Sequence, residues 1–137
     1  MADSHFAPAV TALTAALGPR LRPGGPGFAD LFTPDALLET PFDGDGDGPG
    51  VEGREAVAAM VTSLAGVLTF YDVRVHRVLD VDATTVVCEY EALLQRHDLG
   101  CRLRRRYVGV MTISDGLVAH LREYGGPFMP STAERLG

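Results

Sequence analysis

Three glutamates, a block of arginines and two tyrosines are the side chains of this chain best suited to chemistry. Glu123 lies in Leu121-Arg122-Glu123-Tyr124, Glu89 and Glu91 flank Tyr90, and Arg102, Arg104, Arg105 and Arg106 precede Tyr107. A carboxylate transfers protons near neutral pH only when its surroundings raise its pKa. Each Glu is therefore worth what surrounds it: an apolar pocket makes it an acid or base, and a facing arginine makes it half of an ion pair. Tyr71 and Tyr107 can donate a hydrogen bond to a substrate oxygen or pack in a core. The histidines, His5, His76, His97 and His120, show neither H-x-x-x-H nor E-x-x-H spacing, and Cys88 and Cys101 have no C-x-x-C pattern. No metal site, disulfide framework or cofactor is expected. The run Asp43-Gly44-Asp45-Gly46-Asp47-Gly48 has the acidic spacing of a calcium loop, but Arg54 stands where the closing Glu belongs. It reads as an acidic loop at the rim of a pocket.

The elements that must position these residues follow from periodicity. Phe6, Val10, Leu13 and Leu17 predict a helix over 5–17, ended by Gly18-Pro19. Residues 18–27 form a loop, 28–32 a short helical turn, and Thr33-Pro34-Asp35 a further turn. Residues 36–42 are an edge strand interrupted at Pro41. Val57, Met60, Val61, Leu64 and Leu68 predict the longest helix, over 54–68. From residue 71 the period becomes two, giving strands over 71–79, 85–96, 102–113 and 117–124, with turns at His97–Gly100 and Ser114-Asp115-Gly116 and a short tail. Alternation places Leu121, Glu123 and Gly125 on one face, opposite Arg122 and Tyr124. It pairs Glu89 with Glu91, and sets Arg102, Arg104 and Arg106 opposite Arg105 and Tyr107. The sum is an α+β domain spanning 1–137: three N-terminal helices packed on a curved antiparallel sheet that encloses a pocket.

Three segments carry a resemblance. Asp30 to Pro41 is similar to an "L-F-A-x-D-A-x-x-E-x-P" pattern, Val51 to Val57 to "x-x-G-R-E-A-I", and Ile113 to Val118 with Leu121 to Tyr124 to a final hairpin and "R-E-Y" strand. Together they resemble the nuclear transport factor 2-like, or ketosteroid-isomerase-like, superfamily, in its SnoaL-like polyketide cyclase branch. The resemblance implies a cone-shaped cavity for a small hydrophobic molecule, in a homodimer formed through the sheet. It also implies an acidic residue facing the cavity at the position of Glu123, acting in acid–base chemistry, with Tyr107 or Arg105 orienting a substrate oxygen. Arg105 is further suited to an acidic substrate group. Thr40 stands where ketosteroid isomerase carries its general base, and Gly109 falls near its oxyanion-hole Asp. Both carboxylates of that enzyme are thus missing, and steroid isomerisation by that route is not expected. Glu91 or Glu89 could face Glu123 across the cavity, or pair with the arginines of the next strand, which the spacing favours. Arg122 and Arg105 are the alternative partners for Glu123.

Composition bounds the rest. The chain has 137 residues, 46% hydrophobic and 22% charged, enough for one packed domain and against disorder. Twelve basic against 18 acidic residues give a net charge of -6, which argues against nucleic acid. The longest apolar run, Ala56 to Phe70, is too short to span a membrane, and the N-terminus lacks a secretory pattern, so a cytoplasmic protein is expected. All twelve basic residues are Arg, a bias of genome composition. Three readings follow: a cofactor-independent enzyme (cyclase, isomerase or dehydratase) for a hydrophobic carbonyl compound; a non-catalytic binder with a pocket lined by Leu93, Met111, Ile113 and Leu121; or a dimerisation module whose cavity is filled.

Overall fold

A computed structural model of the chain describes residues 5–43 and 50–137. Helix α1 spans Ala7–Leu17 and α2 Arg54–Ala65. The strands are β1 Phe32–Glu39, β2 Val51–Glu52, β3 Leu68–Asp80, β4 Thr85–Arg96, β5 Arg102–Ser114, β6 Leu117–Gly125 and β7 Met129–Ser131. Single 3-10 turns lie at Gly18–Arg20 and Ala29–Leu31. The strand order is β2-β1-β6-β5-β4-β3, with β7 pairing β5 beyond the end of β6.

The long hairpins arise where alternation predicts them. Asp115 and Gly116 both take positive φ, 52° and 77°, the geometry a two-residue hairpin turn needs, and Asp-Gly supplies it at low steric cost. Gly53, at φ 89°, turns the chain from β2 into α2 and donates to Ala36 O at 2.7 Å. The next residue, Arg54, reaches back to Phe32 O through Nε at 2.9 Å and Nη2 at 2.6 Å, locking α2 onto β1. The Gly-Arg-Glu-Ala segment is thus a hinge between helix and sheet.

The core fills the concave side of the curved, unclosed sheet. Leu13 and Leu17 of α1, Val57 and Val61 of α2, and Phe28 and Phe32 between them bury against Leu38, Val86, Cys88, Met111 and Leu121. Phe6, Phe28, Phe32 and Phe70 add tilted and edge-on ring contacts with centroids 5.1–5.2 Å apart.

Several expectations are corrected. Two α-helices and two 3-10 turns stand where three helices were expected, and an enclosed pocket is not shown by the described residues. The sheet is mixed: β1 runs parallel to β6, because 77 residues separate Glu39 from Leu117 and allow a crossover. Thr33-Pro34-Asp35 belongs to β1 rather than to a turn, and β1 is not an edge, since β2 covers its other side. Leu68 starts β3 and does not end α2, and the tail contains β7. In addition, β3 carries irregularities between Phe70 and Asp72 and between Val75 and Arg77, so its faces switch where simple alternation would continue.

Candidate active site at Glu123

Three neighbouring strands bring the site together on the inner face. Cys88 of β4, Gly109 of β5 and Glu123 of β6 form one rung, and Tyr90, Tyr107 and Gly125 form the next. Residues directly opposite in a ladder point to the same side, so this face carries Tyr90, Arg105, Tyr107, Met111, Leu121 and Glu123. Leu121, Glu123 and Gly125 share this face, as strand alternation predicts.

The Tyr90 hydroxyl donates to Glu123 Oε2, crossing β5 diagonally to do so. Gly109 makes the crossing feasible. A Cβ there would stand 3.1 Å from Tyr90 Cε1 and 3.2 Å from both the Tyr90 hydroxyl and Leu121 Cδ1. The space that an oxyanion-hole carboxylate would need is occupied by the tyrosine ring. Tyr107 stacks on Tyr90 with centroids 5.3 Å apart and planes 17° from parallel. Arg105 follows on the same face. Its Nε donates to Gly126 O at 2.8 Å and its Nη2 to Asp43 at 2.6 Å, and its guanidinium lies over the rings of Tyr107 and Phe128.

Burial dominates the electrostatics. It pushes the Glu123 carboxyl above its ordinary value, against the Tyr90 hydrogen bond and the Arg105 charge, which both favour ionisation. Burial, then the Glu123 charge, holds Tyr90 well above 10, so this hydroxyl remains a donor. Tyr107 is raised for the same two reasons. For Arg105, burial opposes the charge, but Asp43 and Tyr107 outweigh it and the pKa is raised. The set is thus a carboxyl with a raised pKa, two neutral phenols and an ion-paired guanidinium. Cys88, next to it, is buried and pushed up to about 11, which makes its thiol inert.

The other expected site residues divide. Met111 and Leu121 sit on the correct face but are core, 1% and 3% exposed. Thr40 directly follows β1. Continuing the parallel register from Leu38 opposite Leu121 sets it level with Glu123. Glu91 is a correction. It lies on the opposite face, 4% exposed, paired with Arg104 at 2.9 Å, His76 at 3.2 Å and Arg106 at 3.5 Å. It therefore cannot face Glu123, and neither can Glu89, which pairs with Arg77 at 3.6 Å. Leu93 shares that outer side of β4, so it lines no pocket with Leu121. Arg122 does not clamp Glu123 but reaches Glu39 at 3.5 Å, beside His120 at 2.6 Å from the same oxygen. Tyr71 is 42% exposed and donates to Gln95, away from the site. A groove of about 740 Å³ is lined by Phe42, Glu89, Tyr90, Tyr107, Val108 and Tyr124, so it draws on residues of both faces near the end of β6.

Sequence reasoning missed Tyr90 and Asp43. Tyr90 was legible: it alternates with Cys88 and Ala92 between two charged residues, which marks it as facing the core. Asp43 was hidden in its acidic run, the rest of which, residues 44–49, lies outside the described residues together with the calcium question. Among the described residues no three His, Cys, Asp or Glu side chains gather as a metal ion requires, and no helix is long and apolar enough to cross a membrane.

Comparison with known proteins agrees with this architecture. A Bacillus subtilis protein described as an isomerase superposes with a TM-score of 0.66 at 21% identity, over 73% of each chain. A Catenulispora acidiphila protein with a ketosteroid isomerase-like fold, solved with trimethylamine, gives 0.64 at 14% identity, over 84% of this chain and 82% of its own. An epoxide hydrolase of the LEH-like type from Mycobacterium tuberculosis gives 0.59 at 20% identity, over 90% and 84%. No curated protein matches the sequence. The SnoaL-like domain model matches residues 9–121, which contain most of α1, all of α2 and most of the sheet. On this match the chain belongs to the SnoaL-like domain family, and its element order has the ketosteroid-isomerase-like α+β fold.

Proposed function

We propose that this protein is a cofactor-independent acid–base enzyme acting on a small hydrophobic carbonyl compound, as a cyclase, isomerase or dehydratase. One observation carries the reading: Glu123 is half-buried on the inner face with its pKa raised by desolvation, and its Oε2 is held by a tyrosine that cannot ionise near neutral pH. A carboxyl so placed removes a proton from carbon next to a carbonyl and returns it elsewhere, while Tyr90 fixes its orientation. Tyr107 and Arg105 supply donors for the substrate oxygen, and Thr40 stands beside them. The isomerase and epoxide hydrolase among the structural neighbours lend support by analogy of fold only.

The test is hydrogen–deuterium exchange at carbons adjacent to a carbonyl, followed by mass spectrometry over a panel of hydrophobic ketones in deuterated water. Wild-type protein should accelerate exchange for a subset, and Glu123→Gln should reduce that rate by about 10²–10⁴-fold. Exchange equal in the two proteins for every ketone would remove the assignment. A second reading, a dimerisation module, is favoured by the amount of inner face already filled by core side chains. It predicts neither exchange nor binding of any ketone in the panel. A homodimer through the outer sheet face belongs to the same proposal, supported by exposed Phe42 and Val108 beside the groove near the end of β6.

A further inference from the structure

Arg105 is a nearly buried cation whose salt-bridge partner is held on an exposed residue. Its side chain is 10% exposed, whereas that of Asp43 is 46% exposed. The guanidinium lies over Gly125, where an added Cβ would collide with it. Gly125 and Glu123 are two residues apart on one strand and share a face, so the cation sits roughly 7 Å along β6 from the Glu123 position.

Besides Asp43, Arg105 is held by the Gly126 carbonyl, the Tyr107 ring and the Phe128 ring. Asp43 is different. It lies beyond the end of β1, with its backbone tied only to the Thr40 carbonyl at 3.0 Å among the described residues. A desolvated guanidinium requires an anionic partner, and here the chain provides one that can leave into water. Exchanging one carboxylate for another on a guanidinium keeps the number of charge-assisted hydrogen bonds constant.

We propose that Asp43 occupies the place of a ligand carboxylate: Arg105 is an anion-binding group, and the natural ligand is a small aromatic or alicyclic carboxylic acid that displaces Asp43. The ring packs against Tyr107 and Phe128. Where the proton-transfer reading of Glu123 holds, on which this part rests, the carboxylate anchor also places the neighbouring ring carbons toward Glu123. The ligand is then a keto acid rather than a neutral ketone.

The probe is benzoate at pH 7, with benzamide as its neutral counterpart, at constant ionic strength. The readout is the Arg105 Nε–H resonance in nitrogen-15-labelled protein. Benzoate should move it saturably and benzamide should not. In Asp43→Asn the internal competitor is weakened, and benzoate should bind about ten-fold more tightly. Asp43→Ser should behave alike, which separates loss of the competitor from a new amide contact. An Arg105 signal that benzoate leaves unmoved in all three proteins, or binding no tighter in the two variants than in wild type, would overturn the proposal. Failure of ketone exchange leaves this titration unchanged, and a flat titration leaves ketone exchange unchanged, so the two readings fail separately.

Discussion

At the scale of single residues the site turns on one carboxyl and one phenol. Burial lets folded Glu123 keep its proton to higher pH than the unfolded chain does. The contribution of Glu123 to stability is therefore most favourable below the ordinary carboxylate value and declines as pH rises through the folded pKa. Glu123→Gln, permanently neutral, should show a flatter stability profile and exceed wild type above that window, which urea melts from pH 4 to 8 would show. Tyr90→Phe acts on the same equilibrium from the other side. It removes a donor that favours the ionised carboxylate, so the Glu123 titration followed by carbon-13 NMR should move to still higher pH. Ketone exchange should then fall more at pH 6 than at pH 8, and the variant should lose about 1.5–3 kcal/mol as a charge-assisted bond disappears.

At the scale of elements, two glycines shape the inner face. Gly109 on β5 leaves room for Tyr90 to cross from β4 to β6, and Gly125 on β6 leaves room for the Arg105 guanidinium. Gly109→Ala should displace the tyrosine ring and cost about 1–3 kcal/mol in a urea melt, and it should uncouple Glu123 from Tyr90 in the same way as Tyr90→Phe. A variant as stable as wild type, with an unmoved Glu123 titration, would show that the ring tolerates the methyl group. The strands, the Asp-Gly hairpin turn and the Gly-Arg start of α2 were all legible, because each follows from local period or local φ. The β3 irregularities went unread, although Phe70-Tyr71 and His76-Arg77 each break the alternation in type where the register against β4 shifts.

At the scale of the whole molecule, the sheet separates two kinds of charge. The inner face holds the half-buried Glu123 and the Arg105–Asp43 pair, and the outer face gathers Glu91 with Arg104, Arg106 and His76. Among the described residues Glu91 is the one charged residue that is fully buried, so removing its charge should be felt in stability and not in chemistry. Glu91→Gln should cost about 1–3 kcal/mol in urea and leave ketone exchange within two-fold of wild type. A large loss of exchange at unchanged stability would connect the two faces.

By itself the sequence determined the two α-helices and the four long strands, which face each strand residue takes from β4 onward, and the SnoaL-like character of its motifs. These depend on side-chain period, turn residues and short segments, all of which are local. The tertiary structure decided the partners. Glu123 had Arg105 and Arg122 as plausible neighbours at equal sequence-level standing, and the register between β4 and β6, set across an intervening glycine, gave it Tyr90 instead. Arg105 went to Asp43, a residue 62 positions away. Which opposite charge or hydroxyl a buried group finds is fixed by strand order and by the space left between strands, and neither is written in the local pattern of any one of them.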